Sequence, residues 1–495
     1  MTPETPPEEM LDETLDPADW EAMRALGHRM MDDALDWLRD VRERPVWQRM
    51  PDEVRATFRT AVPRAPATPE AVYREFTERV LPYPMGNVHP RFWGWVMGTG
   101  TPMGVLADML ASTMNPNCGG ADHAATMVEQ QVLDWFKELL GVSADSSGLL
   151  VTGGSMANLV ALTVARNAAA GVDIRKHGVR AAAGALTMYA STEAHSSIRK
   201  AVELLGLGTD GLRLIPVHDD YTIDMRALEH AVEEDRAAGL TPVCVVGNAA
   251  TVNTGAFDDL DRLADFCERE ELWFHVDGAF GALAALVPAF RPQVAALARA
   301  DSVAFDLHKW MYVPFEAGCV LVRDAPAHHD SFAVSPAYLA RARGGLAAAG
   351  TWFSDYGVQL TRGFRALKIW MSLQEHGADR YGRMIAQNIE QARYLAKLVD
   401  AAPELERMAP VPLNIVCFRY VGGPTGDITA RDLDEFNREL LIRIHESGVA
   451  VPSSVTLHGQ SGIRVAVTNQ RSRRDDFDLL VAETIRMGRE LWKEG

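Results

Sequence analysis

The sequence predicts an α/β protein: a large domain on a mainly parallel, seven-stranded sheet with helices on both faces, an N-terminal helical arm before it and a small C-terminal α/β domain after it. Three observations predict this. Seven short, near-continuous apolar runs recur between residues 148 and 323, the pattern of strands buried on both faces. Longer segments with apolar residues at helical spacing separate them. The chain is 495 residues long and 47% hydrophobic, enough to bury a large core and to form two or three domains.

In chain order, the acidic, Pro-rich lead MTPETPPEEMLDETLD is followed by a helix over residues 19–41, with Met23, Leu26, Met30, Ala34 and Leu38 on one stripe. Three prolines in RTAVPRAPATPEA (59–71) mark a linker, so residues 1–100 are expected to form an arm that docks on another subunit or domain. The strands of the large domain (101–385) are expected at 148–154, 184–191, 212–217, 242–248, 272–278, 302–307 and 318–323. Helices are expected between them at 157–170, 196–206 and 258–271, the last with acidic residues in its first turn, where the helix dipole favours them. From 386 to 495 the order strand, helix, strand, helix (NIVCFRY, LDEFNRELLIRIHESG, GIRVAVT, DDFDLLVAETIRMGRELW) predicts the smaller domain.

Composition narrows the function. With 49 Lys and Arg against 67 Asp and Glu, the net charge of −18 repels polyanions and argues against nucleic acid or an anionic membrane as partner. The five cysteines are odd in number and scattered, as expected of reduced thiols in a cytoplasmic protein. The N-terminus lacks the basic start and apolar centre of a signal peptide, and no run reaches the roughly eighteen apolar residues of a membrane span.

Ligands of open parallel sheets sit beyond the carboxyl ends of the strands, so polar residues directly after the apolar runs are the candidates. Thr152 to Asn158 (TGGSMAN) reads either as a tight turn or as a helix start whose amides, with the Ser155 hydroxyl, hold a phosphate beside Gly154. His195 follows the second run, with Ser196 and Ser197 where a helix cap belongs. Thr251 lies in a polar loop after the fourth run, and Asp258 at the next helix entrance, with capping as its alternative role. Asp277 closes LWFHVD, and a carboxylate there needs a cationic or hydrogen-bonding partner. The sixth run leads into Asp306, His308 and Lys309. Lysine is among the residues least often buried, so Lys309 is either a surface lysine or an amine kept nucleophilic by apolar neighbours. It follows Asp277 by 32 residues, one strand over, close enough to share a pocket. No metal is expected, because His328-His329-Asp330 offers adjacent histidines, which rarely converge on one ion.

A phosphate turn, a flat ring, a strand-end anion and a strand-end amine are together what pyridoxal 5′-phosphate needs. The ordered series HPRFWGW (89–95), NPNCGGADHAATMVEQQVLDW (115–135), STEAHSSIRKA (191–201), HVDGAFG (275–281), DLHKW (306–310), TRGFRALKIW (361–370) and IRVAVT (463–468) resembles the group II pyridoxal-phosphate-dependent amino-acid decarboxylases, the family of aromatic L-amino-acid decarboxylase, over nearly the whole chain. The resemblance implies the fold type I architecture of pyridoxal-phosphate enzymes, a carboxy-lyase activity and a homodimer with its active site near the subunit boundary. Lys309 resembles the Schiff-base lysine, Asp277 the partner of the pyridine nitrogen, Ala279 the small residue under the ring and His195 the histidine stacked on its other face. Gly154, Ser155, Thr251 and Asp258 match cofactor-pocket positions, His308 the histidine beside the lysine, and Arg464 the arginine that receives the substrate carboxylate.

Two departures accompany the match. Asp306 stands where relatives often carry asparagine, and an aspartate accepts hydrogen bonds without donating them to phosphate. The loop ahead of Thr361 is short, with Tyr356 as the match for a catalytic loop tyrosine. In relatives, that tyrosine and the stacking histidine go with release of an amine, and loss of either with oxidative deamination to an aldehyde. Phe92, Trp93 and Trp95 read either as ordinary core aromatics or as flat apolar walls of a substrate pocket, and the second reading favours an aromatic substrate such as tryptophan, tyrosine, phenylalanine or DOPA over an acidic or diamino one. A protein that binds the cofactor without turnover is the reading from another class, and the intact lysine, aspartate and histidine argue against it.

Overall fold

The computed structural model describes residues 14–334, 344–348, 350–422 and 430–494. The start of the acidic lead and residues 335–343 of the loop ahead of Thr361 lie outside them. The chain divides into two compact units, Met1–Arg44 with Arg49–Met85, and Pro45–Gln48 with Gly86–Gly495. Residues 86–100, expected to belong to the arm, fall in the second unit. The reason is backbone pairing: the Trp93 amide donates to Val451 O at 2.8 Å, and the Ala466 amide donates to Trp93 O at 3.0 Å.

In the first unit the helix Trp20–Arg39 forms as its periodicity predicts, capped by Asp19, whose carboxylate accepts from the amides of Glu21 and Ala22. Tyr73, on the helix Pro69–Glu75, donates to Asp33 at 2.7 Å. Leu26 is buried, while Trp20, Met23 and Met30 are exposed.

The second unit carries all seven expected strands: β1 (Ser147–Val151), β2 (Leu186–Ser191), β3 (Leu212–Ile215), β4 (Thr241–Asn248), β5 (Trp273–Asp277), β6 (Ser302–Asp306) and β7 (Gly318–Val322). They hydrogen-bond in the order β1-β7-β6-β5-β4-β2-β3. β2 to β6 run parallel, whereas β7 is antiparallel to both its neighbours. The short connection from β6 to β7, which holds only the helix Leu307–Trp310, returns the chain beside the strand it has just left and so reverses it. The helix Gly154–Ala169 packs across β4 to β7 through Ala157, Val160, Ala161 and Val164, all buried. Each fully buried Val or Leu in such a layer contributes about 1.5–3 kcal/mol.

A second sheet holds β8 (Leu405–Arg407), β9 (Ile415–Tyr420), β10 (Ser453–Leu457) and β11 (Gln460–Ala466) in the antiparallel order β10-β11-β9-β8. Two of these strands exceed the expected pattern. β8 has only three residues. β10 alternates buried and exposed positions, and a two-residue turn ties it to β11, with His458 at φ 48° and Gly459 at φ 78°. Positive φ at both turn residues matches the twist of a tight hairpin. Among the described residues, no helix is long and apolar enough to cross a membrane.

Candidate active site

Parallel strands point their carboxyl ends the same way, and that edge gathers Asn248 from β4, Asp277 from β5 and, just past β6, Lys309. A cavity of about 290 Å³ opens there, with Trp95, His195, Asp277, Ala279, Lys309 and Arg464 in its wall. Two roomier grooves, of about 560 and 540 Å³, hold none of these residues.

Asp277 is buried, and its two oxygens have separate donors: Asn158 Nδ2 reaches Oδ2 at 2.9 Å and the Ala279 amide reaches Oδ1 at 3.1 Å. His195 caps the helix Ser196–Leu204 itself, a role expected of the serines that follow it; its Nδ1 accepts from the Ser197 amide at 3.2 Å and meets Ser197 Oγ at 2.8 Å. A ring nitrogen that accepts from an amide carries no proton, so the neutral imidazole holds its hydrogen on Nε2. Burial lowers the His195 pKa, against the pull of Asp277 in the other direction.

Lys309 Nζ lies 2.8 Å from Asp306 Oδ2. The other oxygen of Asp306 is buried without a hydrogen-bond partner. A methyl group built on Gly154 would sit 3.0 Å from Asp306 Oδ2, so a side chain there would crowd this carboxylate. Ser155 is exposed in the first turn of the helix that Gly154 begins. His308 lies against the same turn; its Nδ1 accepts from the Ala317 amide at 3.1 Å, its ring tilts against Phe315, and burial lowers its pKa.

Arg464, on β11, is buried, and its donors go to neutral acceptors: Asn253 O at 3.1 Å, Trp95 O at 3.0 Å, Ser453 Oγ at 3.3 Å and Val252 O. No carboxylate pairs with it among the described residues. Burial lowers its pKa to about 10, so it stays cationic at neutral pH. A cation in a cavity wall without a protein counter-ion is a receptor for an anionic ligand.

Several expected site residues lie elsewhere. Thr251 turns its hydroxyl to Thr254 Oγ1 and to the Ala256 amide, closing its own turn, while its neighbours Ala250 and Val252 line the cavity. Asp258 is buried at the Asn248 and Ile223 amides, and Asp259 caps the following helix in its place. Phe92 packs against Val46 and Val451, and Trp93 stacks on Phe477 with ring centres 4.9 Å apart, so of the three aromatics only Trp95 reaches the cavity. Tyr356 is not brought to Lys309. Its carbonyl accepts from His328 Nε2 at 2.8 Å, and His328 Nδ1 meets Ser147 Oγ at 2.8 Å, at the start of β1, the far end from Gly154. Both ring nitrogens of His328 are thereby occupied.

Asn158, His275, Ser197 and Ser453 were not singled out as site residues. Asn158 and His275 have a signal in the sequence: each is a polar residue inside a short apolar run, MANLVAL and LWFHV, where it must find a partner. Ser453 is near the site only because β10 pairs with β11.

Pyridoxal phosphate fits this donor set. The Gly153-Gly154 cradle opens a helix N-terminus, Asp277 is a fixed anion, Ala279 leaves room beside Gly154, and Lys309 is an amine in the cavity wall. The profile of the pyridoxal-dependent decarboxylase conserved domain matches residues 51–421. The chain is 32% identical to the aromatic-L-amino-acid decarboxylase of Bacillus atrophaeus over 460 residues, 92% of this chain and 93% of that one. It is 31% identical to the histidine decarboxylase of Homo sapiens over 480 residues, 92% of this chain and 69% of that one. The crystal structure of the Oryza sativa enzyme TDC with pyridoxal phosphate and tryptamine superimposes with a TM-score of 0.89 at 28% identity, over 97% of this chain and all of that one.

Proposed function

The chain belongs to the pyridoxal-dependent decarboxylase family, and from that premise we propose that it removes the α-carboxylate of an aromatic L-amino acid, releasing carbon dioxide and the amine. It is a carboxy-lyase whose cofactor is pyridoxal 5′-phosphate. Bound, that cofactor supplies an aldehyde for condensation with amines and a ring that takes up the electron pair left as carbon dioxide departs. Lys309 is the amine that would hold it, Asp277 the anion for its ring nitrogen and the Gly153-Gly154-Ser155 turn the seat for its phosphate.

The observation that carries the substrate reading is the Arg464 guanidinium in the wall of the cavity that also holds Lys309 and Asp277. It receives the carboxylate of the amino acid and so orients the bond to be broken. Trp95, Phe280 and Val96 give the same cavity apolar walls, which suit a flat side chain. The relatives named for aromatic L-amino acids and for histidine support a flat side chain. His195 is the group in the cavity wall that, once charged by a proton from solvent, would return one to the carbon that loses its carboxylate and revert to the neutral imidazole. Competition among tryptophan, tyrosine, phenylalanine, DOPA, histidine, glutamate and diaminobutyrate tests the class, and preferred turnover of glutamate or diaminobutyrate refutes it.

Tyr356 supports a second reading, decarboxylation with oxidative deamination, because His328 holds the Tyr356 carbonyl at the start of β1. Carbon dioxide, amine, ammonia and peroxide measured in one reaction separate the two. Equal yields of aldehyde and peroxide in place of amine favour the second.

The protein is read further as a cytoplasmic homodimer. All five cysteines are unpaired and buried, as suits a reducing compartment. Met109, Leu110, Met114 and Met127 are exposed on the helices Pro102–Met114 and Ala124–Leu140, an apolar surface that suits a second copy. Sedimentation as a monomer at micromolar concentration refutes the dimer.

A further inference from the structure

Asn158 is buried beside Asp277 and uses both polar atoms of its amide. Nδ2 donates to Asp277 Oδ2 at 2.9 Å and to Ser197 Oγ at 2.9 Å, while Oδ1 faces His275 Nε2 at 3.0 Å. Behind it, His275 Nδ1 meets Ser302 Oγ at 2.9 Å, and Trp273 Nε1 donates to the same oxygen at 2.8 Å. The two ends of this chain leave no freedom. An indole N–H only donates, and a carboxylate only accepts. Asp277 therefore turns the NH2 of Asn158 toward itself, Oδ1 faces His275, and His275 must carry its hydrogen on Nε2. Its Nδ1 then accepts from the Ser302 hydroxyl, which in turn accepts from Trp273. His275 is wholly buried and its pKa is lowered to about 4 by that burial, so it stays neutral and the polarity of the chain is constant near neutral pH.

We propose that Asn158 is the positioning residue for the cofactor-facing anion: pinned by His275, Ser302 and Trp273, it holds Asp277 in one rotamer, and through Ser197 it ties that carboxylate to His195. Asp277 and His195, the residues that would meet the cofactor ring, are thus both linked to one side-chain amide. The activity arm of the test rests on the decarboxylase reading; the proton pattern does not.

The direct test is nitrogen NMR of histidine-labelled protein without cofactor. The expected result is the Nε2–H tautomer for His275, and an Nδ1–H tautomer overturns the proposal whether or not the protein is a decarboxylase. The second test uses the loaded enzyme and the variants Asn158→Leu, His275→Phe and His275→Gln. Glutamine keeps a donor toward Asn158 and an acceptor toward Ser302, whereas leucine and phenylalanine break the chain. In the first two variants kcat is expected to fall about 10- to 100-fold, the usual effect of removing an outer partner of a ligating group, with KM within about threefold, because Arg464 and Trp95 are untouched.

The visible absorption band of the loaded enzyme, flat from pH 6 to 9 in the wild type, is expected to titrate in these two variants and stay flat in His275→Gln. The titratable groups facing Asp277 are His195, His275 and Lys309, so each variant is compared with a His195→Gln control to remove the His195 contribution. Should Asn158→Leu fail to fold, Trp273→Phe deletes only the far donor and is expected to lower kcat about two- to fivefold in the same direction. Unchanged kcat with a flat band in His275→Phe and Trp273→Phe overturns the proposal. Failure of the wild type to take up cofactor refutes the proposed function and leaves the tautomer measurement to decide this one.

Discussion

Lys309 and Asp306 form an ion pair with Nζ 2.8 Å from Oδ2, three residues apart at the junction of β6 and the helix Leu307–Trp310. The strand ends on the carboxylate, and the single turn that follows carries the amine back over it into the cavity. This explains how a lysine only 19% exposed is tolerated among apolar neighbours: its charge has a buried partner in the same turn. The amine is thereby held where a carbonyl ligand can reach it.

Borohydride treatment of protein incubated with pyridoxal phosphate is expected to label Lys309, found by peptide mapping. Lys309→Ala is expected to show neither the label nor a stable yellow complex. A tag on another lysine excludes Lys309 as the anchor.

Asp277→Asn removes the anion, keeps one of its two acceptor oxygens and leaves the side-chain volume unchanged, so the fold is expected to survive. Turnover is expected to fall about 100- to 1000-fold, the scale of losing one preorganised electrostatic partner. Near-normal turnover in a protein that still binds cofactor refutes the role of Asp277.

Arg464→Met is expected to lower kcat/KM roughly 100-fold, mostly through KM, as for removal of a buried charged partner. Affinity for the product amine, which lacks the carboxylate, is expected to change little. Equal weakening of amino acid and amine shows that Arg464 only shapes the wall through its bonds to Val252 and Asn253.

Acid weakens the fold through His328, whose pKa burial lowers to about 4 from an ordinary value near 6.5. Between these values the unfolded chain takes up a proton that the native state refuses. Stability is therefore full above pH 6.5 and is lost as pH falls toward 4, by about 3 kcal/mol at the limit. His275 acts in the same direction, and Asp258, raised to about 6 by burial, acts in the opposite one. Urea midpoints at pH 7 and pH 5 are expected to differ less in His328→Gln than in the wild type.

Glu129 and Arg362 form a buried pair at 2.5 Å, with further bonds from Arg362 to Cys118 O and Leu150 O that fasten the end of β1. Arg362→Met leaves Glu129 buried and unpaired and is expected to destabilise by about 3–5 kcal/mol in urea unfolding. Adding Glu129→Gln is expected to recover part of that loss. A single variant as stable as the wild type contradicts the pairing.

The seven strands of the large sheet were legible because strands buried on both faces must be apolar throughout, and that requirement is written into consecutive residues. Asp277 and Lys309 were legible for the complementary reason, as polar residues that break such runs at the carboxyl end. β10 was not, since its alternation is that of any half-exposed segment until the His458-Gly459 turn pairs it with β11. Phe92 and Trp93 show a related limit. Aromatics in one short motif face different ways, and only the pairing of Trp93 with Val451 and Ala466 decides that Trp95 alone meets the cavity.

The amino-acid order by itself determined which elements form and which strand ends carry an amine and an anion, because burial and helix or strand period act over a few neighbouring residues. Tertiary structure alone decided that Thr251, Asp258 and Tyr356 stay out of the cavity, that Arg464 enters it from the second sheet, and that Asn158 joins Asp277 to Ser197 and, through it, to His195. Those outcomes depend on which hydrogen-bond partners distant segments bring together, and an unpaired buried polar group is too costly for its partner to be left to chance.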